Sequence, residues 1–292
     1  MKLPRWDRLV TLYLVQPVGR IGGGSGPALT VLMYHSIADQ ASPSQTAYYE
    51  TTTSPAMFDQ HLASLRVLGY RSVDLETGLN LVRTNNSDAG KSVVITFDDG
   101  FRDFFTAAFP ALQLHGFTAT MYLPTGFIGD KPRSFNGRQC LSWSEVRTLR
   151  EAGMRFGSHT VTHPKLYECS WKQIETELAE SKDAMQQELG ESIRDFAYPY
   201  AFPQQDRNFT ARFTDLLQSQ GYLTCVTTAI GRVRVGDNPY LIKRLPCNNC
   251  DDEALFRAKL QGDYDWLAGP QSAFKKVRRL ASRRAALAGR DA

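Results

Sequence analysis

Short β-branched runs that alternate with amphipathic stretches constrain this chain most, because strands joined through helices must lie parallel in one sheet. The runs read Leu29–Tyr34, Tyr70–Leu75, Ser92–Phe97, Thr118–Leu123, Met154–Ser158, Asp195–Tyr198 and Tyr222–Thr228, with a further strand-like stretch at Leu241–Leu245. Helices are expected at Arg102–His115, Ser142–Ala152, Trp171–Leu189 and Asn208–Ser219. The Trp171–Leu189 helix is the best marked. Ser170 and Gln173 form a capping box, Trp171, Ile174, Leu178, Met185 and Leu189 follow one face, and Gly190 closes the end. About seven such units in one domain suit a distorted, incomplete (β/α)7 barrel better than two open sheets, and a chain of 292 residues has room for it. Polar chemistry should then collect at the strand C-terminal ends.

Gly22–Gly26 and Pro27 form a joint, which divides the chain into an N-terminal extension (1–27), a barrel domain (28–268) and a basic tail (269–292). The net charge of +4 belongs to that tail: Lys275, Lys276, Arg278, Arg279, Arg283, Arg284 and Arg290 oppose a single Asp291, which leaves the remainder at −2. Nucleic-acid binding through a fold-wide basic patch is therefore unsupported, whereas the tail could meet an anionic membrane surface. No apolar stretch approaches the roughly 18 residues of a membrane span. Lys2, Arg5 and Arg8 precede a short apolar segment broken by Gln16, Pro17 and Arg20, which makes a poor secretory signal, so the expected location is cytoplasmic or peripheral to a membrane. Five cysteines do not make a disulfide framework. Cys247 and Cys250 could be half a zinc site or a redox pair, but without a second CxxC they read as a loop with two thiols.

Two strand ends carry informative residues. Val93–Phe97 runs into Asp98, Asp99 and Gly100, and Met154–Ser158 runs into His159, Thr160, Val161, Thr162 and His163. Alone, Asp-Asp-Gly reads as a turn and two histidines four apart as unrelated. Together they satisfy a hydrolytic metal site, with Asp99, His159 and His163 able to supply ligands and Asp98 left as a base. Of five histidines, His35, His159 and His163 stand at strand ends, while His61 falls in a helical segment and His115 precedes Gly116 at a helix C-terminus.

These motifs resemble those of the polysaccharide deacetylases that share the NodB homology domain, over about residues 28–265. Thr96-Phe97-Asp98-Asp99-Gly100 looks like that family's first motif and His159-Thr160-Val161-Thr162-His163 like its second. The resemblance implies a divalent metal on Asp99, His159 and His163, zinc first with nickel, cobalt or iron as alternatives, and Asp98 as general base. Phe196-Ala197-Tyr198-Pro199-Tyr200 looks like the third motif, which implies that the Tyr200 N–H helps to bind an oxyanion. Two departures follow. No arginine stands just before Pro199-Tyr200; Arg194 is too early, and Arg244 is a candidate replacement, a surface ion pair being the alternative. No Leu-x-His follows His163; instead Leu32-Met33-Tyr34-His35 stands at the front, as in the circularly rearranged relatives that act on poly-N-acetylglucosamine-type polymers.

The leaving amine of an amide needs a proton, and His35 is the histidine left to donate it, from the side opposite Asp98. Aromatic residues near the mouth, Tyr34, Phe101, Trp143 and Tyr200, with Pro199, could form a sugar-binding platform. The implied activity is metal-dependent removal of N-acetyl groups from N-acetylhexosamine units of a polysaccharide or its precursor. The alternatives are an O-acetyl esterase or deformylase using the same site, or a non-catalytic carbohydrate-binding protein of the same fold.

Overall fold

The computed structural model describes residues 5–19, 26–39 and 50–273. Seven parallel strands form the barrel: β1 (Thr30–Tyr34), β2 (Ser92–Phe97), β3 (Thr120–Leu123), β4 (Arg155–Ser158), β5 (Asp195–Ala197), β6 (Thr224–Ile230) and β7 (Ile242–Pro246). Each pairs with the next in chain order, and β1 closes the ring by pairing with both β2 and β7. The β1–β2 ladder is continuous from Thr30↔Val93 to Tyr34↔Phe97. Irregularity sits at two seams: a single register pair, Phe196↔Ser158, joins β5 to β4, and the register shifts between Val226 and Ile230 where β6 meets β7. Arg71–Ser72 adds a short extra strand beside the start of β2. The strand expected at Tyr70–Leu75 stops there because the Asp74 side chain caps a helix over Leu75–Arg83, accepting from Thr77 N–H at 2.7 Å.

Alternation along the strands separates two apolar layers. One is a plug of Val31, Val94, Tyr122, Ala197, Val226 and Ile242 drawn from six strands, with Leu29, Leu75 and Val82 packed on it. The other, including Leu32, Val93, Ile95, Met121, Phe156 and Phe196, packs against helix residues such as Phe58, Leu112, Leu178 and Phe213. Gly157 is required by this arrangement, since a Cβ there would lie 2.5 Å from the Tyr122 ring and 2.8 Å from Asp195 O. The Trp171–Leu189 helix forms as expected, with the Ser170–Gln173 capping box and a left-handed Gly190.

The residues ahead of the glycine-rich joint dock on the barrel domain. Helical turns Trp6–Val10, Thr11–Val15 and Gln16–Gly19 follow one another, and Arg5 pairs with the buried Asp251 at 3.2 Å. Cys247 is buried, Cys250 is partly buried, and both are free thiols. The basic residues of the tail lie outside the described residues.

Candidate active site

Parallel pairing brings the ends of β1, β2, β4, β5 and β7 to one mouth. Asp98 follows β2 directly, its N–H bonded to Tyr34 O at 3.1 Å, so His35 and Asp98 leave adjacent strands at the same level. Arg244, on β7, is fully buried and meets Asp98 through two parallel hydrogen bonds, Nη1 to Oδ1 and Nη2 to Oδ2, each 2.7 Å. Two further donors reach Thr96 Oγ1 at 3.1 Å and Thr227 O at 3.0 Å, which fixes the guanidinium plane. Arg244 is thus the partner of Asp98 rather than a surface cation. Arg194, by contrast, is exposed and lies 3.9 Å from Glu76. Burial alone would push the Asp98 carboxyl up, but Arg244, and after it His159, outweigh burial and hold it well below the usual carboxylate range.

Asp99, His159 and His163 converge beside this pair. Asp99 Oδ1 is 3.6 Å from His159 Nε2 and 3.4 Å from His163 Nε2, and the two Nε2 atoms are 3.1 Å apart. Donors about 2.0–2.1 Å from one tetrahedral cation stand about 3.3–3.4 Å from each other, so the triangle fits a single divalent ion. Among the described residues it is the one cluster of three such groups. The His159 ring is oriented from behind by Nδ1 on Ala197 O at 2.8 Å. Burial, then the neighbouring His159, push the His163 imidazole down to about 4, so it stays neutral and able to bind a cation near neutral pH. His159 goes the other way: Asp99 outweighs burial and raises it.

Placing these groups so close bends the backbone. Asp99 (φ 76°), Thr160 (φ 70°), His163 (φ 53°) and Tyr200 (φ 57°) all adopt left-handed conformations without being glycine. Such conformations cost roughly 1–3 kcal/mol each and persist only where surrounding contacts determine them.

Those contacts include a residue that no motif marks. Glu177, on the Trp171–Leu189 helix, accepts the N–H groups of Val161 (2.8 Å) and Thr162 (2.9 Å) on Oε2 and the Thr162 hydroxyl (2.6 Å) on Oε1. Thr160 Oγ1 accepts from His163 N–H at 3.0 Å, and Thr160 O accepts from Thr125 N–H at 3.0 Å. The only sequence signal was a carboxylate lying between the buried Ile174 and Leu178. Glu177→Ala is expected to weaken metal binding roughly 10–100-fold, as loss of an outer-shell partner does, with Glu177→Gln losing less. Metal titration checks this, and equal affinity of the alanine variant and the parent would contradict it.

The expected sugar platform needs correction. Tyr34 is 1% exposed, stacked on Phe97 with its hydroxyl on His61 Nδ1 at 3.0 Å, and so belongs to the layer beneath the helices. Phe101, Trp143 and Pro199 are also buried. Tyr200 alone of the set is open, at 48%, with its ring 4.6 Å from that of His163. Phe135, 5.0 Å away, contacts the same imidazole and was not singled out from sequence. His35 is also placed differently from expectation. Its Nε2 is 4.0 Å from Asp98 Oδ2, beside the carboxylate rather than opposite it, because β1 and β2 are neighbours in register.

A closed seven-stranded parallel barrel with helices outside it is the fold of the NodB-type deacetylases. Residues 85–225 match the polysaccharide deacetylase family, just under half of the chain. YxkH of Bacillus subtilis (strain 168), itself assigned provisionally to the polysaccharide deacetylases, is 25% identical over 217 residues, which is 74% of this chain and 70% of that protein. The poly-β-1,6-N-acetyl-D-glucosamine N-deacetylase of Escherichia coli (strain K12) is 28% identical over 139 residues, 44% of this chain but 20% of that enzyme. In structure, the Streptococcus pyogenes deacetylase PplD in complex with acetate superposes with a TM-score of 0.68 at 26% identity, covering 82% of this chain and 99% of that one.

Proposed function

We propose that this chain is a metal-dependent hydrolase that removes N-acetyl groups from N-acetylhexosamine units of a polysaccharide or its precursor. The convergence of Asp99 Oδ1, His159 Nε2 and His163 Nε2 beside an ion-paired Asp98 carries this reading. The named substrate of the Escherichia coli relative supports an amide rather than an ester.

A divalent cation, zinc first among the candidates, would supply Lewis acidity toward the acetyl carbonyl and toward water when held by Asp99, His159 and His163. The protein's own groups divide the remaining work. Asp98, kept ionised by Arg244, is the base that takes a proton from the attacking water. The Tyr200 N–H, at a residue held in a left-handed conformation, is the donor to the developing oxyanion. His35, 20% exposed at its side chain with Nε2 4.0 Å from Asp98 Oδ2, is the proton donor to the departing amine. The exposed Tyr200 ring is the surface against which a sugar would lie.

Acetate release from N-acetylglucosamine oligomers by protein of measured metal content tests the assignment. Release that requires metal supports it. Release confined to O-acetyl sugars would replace it with an esterase, and metal-loaded protein that binds glycan without releasing acetate would replace it with a binding role. Within this reading, His35→Asn should keep metal and fold, and lose at least about 10²-fold in turnover on an amide. On an activated acetyl ester, whose leaving group needs no proton, the loss should be smaller. Equal losses on the two substrates would remove His35 as the acid.

A further inference from the structure

The helical run Trp6–Val10, Thr11–Val15 and Gln16–Gly19 is turned inside out. Its buried side chains are Asp7 and Thr11, while Trp6 and Tyr13 are each 68% exposed, Leu14 63% and Leu9 37%. Hydrophobic burial would favour the opposite orientation. The polar side nevertheless meets built partners. Asp7 pairs with Arg5 and accepts from the Tyr264 hydroxyl at 2.8 Å, and Trp266 Nε1 donates to Thr11 Oγ1 at 3.0 Å. Arg8 pairs with Asp252 at 2.6 Å. Directed hydrogen bonds therefore fix which side faces out, and four of the nine large exposed apolar side chains among the described residues fall on this one run.

An apolar face held outward in this way is matched to something that covers it. Tryptophan and tyrosine are the side chains favoured where a bilayer meets water, since each ring has an apolar body and a polar edge. Charge complements them. Seven Lys and Arg residues at 275–292 follow soon after Trp266, the residue that grips Thr11. No described helix is long and apolar enough to cross a membrane, and a short run with one apolar face suits lying on a membrane surface.

We propose that Trp6, Leu9, Tyr13 and Leu14, together with the basic residues of 275–292, seat the protein on an anionic lipid surface. The run stands on the loop that leaves the catalytic end of β7, where Arg5 Nη1 donates to Cys250 O at 3.0 Å. Lipid contact therefore holds this end of the barrel at the surface. The inference does not depend on the reaction assigned above.

Co-sedimentation of the full chain with phosphatidylcholine vesicles, alone or containing about one third phosphatidylglycerol, tests it. The full chain is expected to bind the anionic vesicles, less so as salt rises. Trp6→Ser, Tyr13→Ser and Leu14→Ser combined should weaken that binding at least about tenfold with an unchanged circular dichroism spectrum, since all three side chains are exposed. Lys275→Gln, Lys276→Gln, Arg278→Gln and Arg279→Gln combined should remove most of the salt-sensitive part. Equal partition of the triple serine variant and the parent overturns the proposal. So does a parent that binds no vesicle and forms a dimer that the same serine variant dissociates, because the face would then be covered by a second copy.

Discussion

Arg244→Met is expected to destabilise the protein by about 3–5 kcal/mol and to abolish turnover together, because it strands a buried carboxylate. Arg244 and Asp98 are 1% and 2% exposed, and the guanidinium supplies both of the 2.7 Å bonds to the carboxylate. Without it burial dominates, the Asp98 carboxyl rises, and the base is protonated under working conditions. The sign of the pH dependence follows. Asp98 is depressed in the fold, so its contribution to stability is fully present above the unfolded value of about 3.9 and is lost as pH falls through the lower native value. The variant should lack this acid-side loss. Adding Asp98→Asn to Arg244→Met removes the stranded charge and should recover much of the stability but none of the turnover. Urea unfolding of the parent, both single variants and the double variant measures the cycle. An Arg244→Met protein within about 1 kcal/mol of the parent, well below the range for a broken buried pair, would refute the account.

His159→Ala is expected to lower metal affinity beyond the roughly 10–100-fold typical of losing an outer-shell partner, since it removes one corner of the triangle. His159 is also the most constrained corner: it is 2% exposed, its Nδ1 is committed to Ala197 O, and its Nε2 faces both Asp99 and His163. A neighbouring ligand therefore has little room to take its place. Acid should act in the same direction on the parent. With Asp99 raising the His159 imidazole against burial, a proton competes for Nε2, so metal affinity should fall as pH drops through the ordinary histidine range. Calorimetric titration with zinc at several pH values checks both statements. Unchanged affinity in His159→Ala would remove His159 from the metal site.

What the sequence made legible here depended on range. Ser92–Phe97 and Trp171–Leu189 were read to the residue because a β-branched run and a capped amphipathic helix are local signals. The strand-end rule likewise brought Asp98, Asp99, His159 and His163 to one mouth. Tyr34 was misread, though alternation contains the correction: if His35 points into the mouth, the residue before it points out toward the helices. The proximity of His35 to Asp98 and the bidentate role of Arg244 needed the knowledge that β1 lies between β2 and β7, which no local pattern carries. Glu177 was invisible because its task is to hold the backbone of Val161 and Thr162, an interaction with no side-chain signature.

The ring closes where its first strand meets its last, with Leu32 opposite Leu245, and this sets how late in synthesis folding can be completed. While the chain is still emerging, β1 can pair with β2, yet its other edge stays bare until β7 has been made. Contacts between such distant segments form slowly, since a long loop must close before they stabilise anything. Arg244 rides on that last strand, so Asp98 has no guanidinium, and His35 no closed barrel at its side, until the final seam is made. A nascent or truncated chain ending before β7 would carry Asp99, His159 and His163 and still lack the guanidinium that orients Asp98. The onset of turnover during refolding would accordingly report closure of the barrel itself.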